Sequence, residues 1–200
     1  MRISSKSLCL GVMRLLLPLL SGCFAVSLPQ ETPPDGLLKL AQLSDVTLPV
    51  RITTDDLTES SRGFQYLFLV FPMSRIYTPS LPTDMLLQLS IAGGLRGYSF
   101  THLREESSPP LYVEIRITDA SVNGYDLIFV RKPTASVALE ARLFEHGALK
   151  KVCAISHSAS DTAYYAFSTE LQIALSEALL QSSYKLLDCL EISAIPAHSP

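Results

Sequence analysis

Phe167, Leu171, Ala174, Leu175, Ala178, Leu179, Leu186 and Leu190 recur at three- and four-residue spacings, which predicts an amphipathic helix of roughly seven turns with one apolar stripe. Ser158–Asp161 offers capping residues for its start. A helix of this kind draws little stability from its own propensity and has to lay the stripe on a second layer. The rest of the chain must supply that layer. With 200 residues, 48% hydrophobic and 18% charged, it has enough apolar material for one domain with a real core.

The second layer reads as a sheet. Leu111–Thr118 alternates, with Val113, Ile115 and Ile117 on one side and Tyr112, Glu114, Arg116 and Thr118 on the other, the period of a strand with one buried and one wet face. Tyr125–Val130, Ser136–Phe144 and Lys150–Ser156 give further strands, the last two joined across Glu145-His146-Gly147 as a hairpin, and Asn123-Gly124 reads as a tight turn. Upstream, Phe64–Phe71 is a nearly continuous apolar run closed by Pro72, the profile of a strand buried on both faces. Ser80-Leu81-Pro82-Thr83-Asp84 starts a helix whose Met85, Leu86, Leu89 and Ala92 share a face before Gly93-Gly94 ends it. Tyr98–Leu103 reads as a strand, Val46–Ile52 as an extended piece interrupted by Pro49, and Leu37–Leu43 as a short helix. This order predicts an α+β fold, a two-layer sandwich with a mostly antiparallel sheet backed by two helices. The domain spans residues 37–190 in this reading, and 191–200 form a short tail.

The side chains that could carry chemistry are scattered. Gly97-Tyr98-Ser99-Phe100-Thr101 begins like a nucleophile elbow but lacks the closing glycine and lies in a strand pattern. His102 with Glu105 and Glu106, or His146 or His157 alone, does not reach three ligands at a metal-binding spacing. The adjacent acids Asp55-Asp56 and Glu105-Glu106 diverge in extended backbone. No catalytic residues, metal ligands or cofactor are therefore expected, and the chain reads as a non-enzyme. The 16 Lys+Arg against 19 Asp+Glu leave no basic surplus for nucleic acid. Arg131-Lys132 and Lys150-Lys151 could meet anionic lipid head groups, or could be solubilising charges at hairpin ends. Cys153 and Cys189 could form a disulfide in an oxidising compartment or stay as buried thiols.

The N-terminus carries an address. Arg2, Lys6 and Arg14 precede the apolar run Leu15-Leu16-Leu17-Pro18-Leu19-Leu20, a basic n-region followed by a short h-region that is too interrupted to span a bilayer. It ends in Leu20-Ser21-Gly22-Cys23, which resembles the lipobox of bacterial lipoprotein precursors. The resemblance implies a signal peptide over 1–22 and a diacylglycerol thioether on Cys23, the nucleophilic side chain of the motif. Cleavage would remove the three cations and move the formal charge from -3 to -6. Two or more acyl chains give stable anchoring, and Phe24 after the cysteine, in place of Asp, favours the outer membrane. Residues 23–36, with three prolines, read as the lipidated N-terminus and tether.

From residue 64 onward the element order is similar to that of two families of small envelope lipoproteins: the lipopolysaccharide-assembly lipoprotein and the auxiliary lipoproteins of lipid-transporting ABC systems. The stretches that carry the resemblance are Phe64–Phe71 with helix Asp84–Ala92, then Ser136–Phe144 with its turn, and helix Phe167–Leu190. It implies a sheet backed by two helices and matches no binding residue. The expectation is a membrane-anchored accessory or assembly factor of the bacterial cell envelope, serving lipopolysaccharide or lipid transport. Its partners would be the membrane, through the anchor, and an envelope protein or a lipid. The alternative is a surface or periplasmic lipoprotein with a structural or host-interaction role.

Overall fold

A computed structural model of the chain describes residues 24–27, 46–55, 63–67, 71–77, 80–103, 109–127, 130–160 and 167–191. Residues 1–22, expected as a signal peptide, Cys23, the helix expected at Leu37–Leu43 and the tail beyond 191 lie outside them. In chain order the elements are β1 (Phe24–Ser27), β2 (Val46–Thr54), β3 (Gly63–Leu67), β4 (Phe71–Tyr77), α1 (Leu81–Gly94), β5 (Tyr98–His102), β6 (Leu111–Leu127), β7 (Val130–Glu145), β8 (Ala148–Ser160) and α2 (Phe167–Cys189).

The long ladders are antiparallel: β6 pairs with β7 from Leu111↔Glu145 to Leu127↔Val130, and β7 with β8 from Thr134↔Ser160 to Glu145↔Ala148. The β7–β8 turn is the two residues His146 and Gly147, with φ of 51° and 77°, the doubly positive pattern of a type I′ turn, which suits Gly. On its other edge β6 holds two short parallel partners end to end. Val50–Thr54 of β2 pair with Val113–Ile117, and Gln65–Leu67 of β3 pair with Gly124–Asp126. A register shift between Ile117 and Asp119 falls in the gap between them, where a bulge can add twist without breaking either ladder. β5 pairs parallel to β2, β4 antiparallel to β3, and β1 parallel to β4.

α1 and α2 cover one face of this sheet, giving the α+β two-layer sandwich. Val113, Ile115 and Ile117 of β6 are fully buried against them, as are Met85 and Leu89 of α1 and Leu171, Leu179 and Leu186 of α2. The α2 stripe is thus core. At the start of α1 the Ser80 hydroxyl donates to Asp84 Oδ2 at 2.7 Å, and the Asp84 N–H to the Ser80 carbonyl at 2.9 Å. Two glycines set close approaches. A Cβ on Gly93 would lie 2.2 Å from the Phe100 ring, and one on Gly63 would lie 1.6 Å from the Val122 carbonyl oxygen.

Several expected boundaries move. Asn123-Gly124 is no turn: β6 runs through it, because the β7 ladder continues opposite, and the Asn123 side-chain oxygen accepts the Phe64 N–H at 3.1 Å, tying β3 to β6. Local turn propensity gives way to a long ladder. The run Phe64–Phe71 is split between antiparallel β3 and β4 rather than forming one strand. Ser158–Ser160, expected to cap the last helix, belong to β8, where Ala159 still faces the core, and α2 begins at Phe167. Phe24–Ser27, expected within a tether, pair with Ser74–Tyr77 as a sheet margin.

Candidate functional site

The face of the sheet away from the helices is solvated and ordered by charge. Glu114 stands opposite Arg142, and Arg116 opposite Glu140, across the β6–β7 ladder. Arg51 Nη1 donates to Glu114 Oε1 at 2.8 Å, Arg142 Nε to Glu140 Oε1 at 2.7 Å, and Arg116 Nε to Asp55. The Asp55 carboxylate holds the Arg116 guanidinium still more firmly protonated than usual. Opposite charges therefore alternate across three strands, each pair adding little stability in water while setting register, since a slip would place like charges together. Toward the β7–β8 turn the face becomes apolar. Tyr112 and Phe144 stack with ring centroids 4.8 Å apart and 7° between planes. Leu149 and Val152 beside them are 52% and 50% exposed. This arrangement can hold a partner by surface contact. Among the described residues no group of three His, Cys, Asp or Glu side chains could hold a metal ion.

Cys23 lies outside the described residues. Cys153 and Cys189 are bonded, with Cα atoms 6.2 Å apart. The four cations do not converge: Lys132 lies near the start of β7, and Lys151 stands opposite Leu143 near its end, about 36 Å away at roughly 3.3 Å per strand residue. Lys150 pairs with Glu145 at 3.0 Å and Lys151 with Glu191, and each lysine holds its partner carboxylate below the usual range, first by hydrogen bonding and then by charge. Arg131 stands opposite Asp126 in the β6–β7 ladder. Ser99 Oγ lies 2.9 Å from Thr47 Oγ1, a hydroxyl partner and no base. His102 is exposed at the end of β5, and His146 sits in the turn. His157 faces α2, where Lys185 Nζ lies 3.0 Å from its Nδ1. Burial first and Lys185 second lower its pKa, against an opposing pull from Glu177.

The open-face ladder was half legible. The wet side of Leu111–Thr118 already names Glu114 and Arg116, while Arg51, Glu140 and Arg142 come from strands whose alignment the sequence does not state.

No protein-family profile matches the chain, and no curated protein sequence matches it. Several solved structures are similar in part. A Xanthomonas campestris protein of family DUF330 is 11% identical with a TM-score of 0.46, over 82% of this chain and 93% of that one. The minor lipoprotein of Acinetobacter baumannii is 10% identical with a TM-score of 0.39, over 76% of this chain and 96% of its own. Rare lipoprotein B of Shewanella oneidensis is 9% identical with a TM-score of 0.36, over 72% and 94%.

Proposed function

We propose that this chain is a non-enzymatic lipoprotein of the bacterial cell envelope, anchored through Cys23 and favouring the outer membrane. There it serves as an accessory or assembly factor in lipopolysaccharide or lipid transport. The observation that carries the reading is Leu20-Ser21-Gly22-Cys23 at the end of a basic and then apolar leader. Its geometric complement is β1: Phe24, the next residue, already pairs with Ser74, so a lipid on Cys23 would sit one peptide bond from the sheet. A domain held that close to a membrane face acts on neighbours within contact distance, and the open sheet face, with its Tyr112–Phe144 corner, offers the contact.

Two measurements test this. Metabolic labelling with a palmitate analogue should mark the wild type and leave Cys23→Ser unmarked; equal labelling of both overturns the anchor. Affinity purification from detergent-solubilised envelopes should recover a β-barrel or ABC-transporter subunit, and recovery of no envelope protein overturns the transport role.

A further inference from the structure

β8 pairs with β7 along one edge, and among the described residues no strand pairs with the other. An edge of 13 residues, unpaired among the described residues, presents a row of backbone donors and acceptors. Folded proteins normally blunt such an edge with charge, proline, a bulge or shortness. From Ala154 to Ser160 the strand reads Ala-Ile-Ser-His-Ser-Ala-Ser, without Pro, Gly or a permanently charged side chain. The one register irregularity of the β7–β8 ladder lies between Leu143 and Phe144, near the turn and away from this stretch. Lys150 and Lys151 also lie outside it and are paired with Glu145 and Glu191. Ile155 and Ala159, on the core side of the strand, are only partly buried, so apolar surface runs along the same edge.

α2 flanks this edge with a row of its own. Glu177, Gln181 and Lys185 are spaced four apart and so share one side of the helix. Gln181 Nε2 donates to Glu177 Oε1 at 2.8 Å, and Lys185 contacts His157. Lys185 thus lies beside the middle of β8, with Glu177 two helical turns before it on the same side of α2. The row is self-complementary: turned half a revolution about Gln181, its acid falls on its base.

We propose that this edge is a homodimer interface, in which β8 strands of two copies pair antiparallel about a two-fold axis near His157, while Glu177 of each α2 faces Lys185 of the other. Pairing about His157 sets Ser156 opposite Ser158 and Ala154 opposite Ser160 of the second copy, and leaves Lys150 and Lys151 beyond the paired stretch. The contact is isologous, so it closes at two copies and does not propagate into a fibre. β1 lies at the opposite margin of the sheet and stays free.

The test uses the full chain in a nonionic detergent, with mass read by light scattering after size exclusion and dissociation read by sedimentation. The wild type should be a dimer. Ser156→Lys with Ser158→Lys, both exposed positions, should give a folded monomer, with an unchanged circular dichroism spectrum and a melting temperature that no longer depends on protein concentration. Glu177→Lys and Lys185→Glu alone should each weaken the dimer at least tenfold, and together should restore it. A monomeric wild type, the result expected if the edge takes a strand of a different protein, overturns the proposal. So does a dimer that S156K/S158K leaves intact, or a charge-swapped pair no tighter than its single variants.

Discussion

Cys153 of edge strand β8 and Cys189 in the last turn of α2 are covalently joined across 36 positions of sequence. Asp188 reaches Arg96 after α1 at 2.6 Å, and Glu191 reaches Lys151. The end of α2 is therefore held to β8 by a bond and by one ion pair, and to the α1–β5 turn by another. Exposed ion pairs of this kind contribute little, so the disulfide does most of the holding. Chain-entropy reasoning for a loop of this length gives about 4 kcal/mol. Cys153→Ser with Cys189→Ser should lower the unfolding free energy by about that much in urea titration, and added reductant should then have no further effect.

Leu179 is fully buried on the stripe of α2, whereas Ile173 on the same helix is 51% exposed. Leu179→Ala should cost about 2–5 kcal/mol through lost transfer energy and a cavity. Ile173→Ala should move the melting temperature little. Equal effects of the two would mean that the stripe does not face the sheet.

Gly63 opens β3 where its backbone meets the Val122 carbonyl of β6. Gly63→Ala has no side-chain movement that relieves the clash, so β3 must separate from β6, and a loss of about 1–3 kcal/mol or more is expected. Hydrogen exchange should show it as faster exchange at the amides of Gln65–Leu67, with the amides of the β7–β8 ladder unchanged.

The Lys185 ammonium donates to His157 Nδ1, which requires a neutral imidazole. Burial and that neighbouring cation lower the pKa below the ordinary 6.5, while Glu177 pulls it the other way. Below 6.5 the unfolded chain binds a proton that the folded chain refuses, so stability falls as pH drops through 6.5 toward the folded value and is fully present above it. His157→Asn should flatten the dependence of the melting temperature on pH between about 7 and 5. Glu177→Gln should steepen it.

Face and period were legible in the chain alone. The stripe from Leu171 to Leu190 and the alternation of Val113, Ile115 and Ile117 state which side of each element is buried, because a 3.6 or 2.0 repeat is a local property of consecutive residues. The Glu145-His146-Gly147 hairpin was legible for the same reason, its Gly meeting a positive φ. Pairing was decided by the tertiary structure. That Arg51 meets Glu114, that Gly63 touches Val122, that β2 and β3 share one edge of β6, and that Asn123-Gly124 continues a strand all depend on contacts between residues far apart in sequence. No local repeat specifies such alignments. They follow from which register buries every apolar face at once and leaves opposite charges adjacent on the open side.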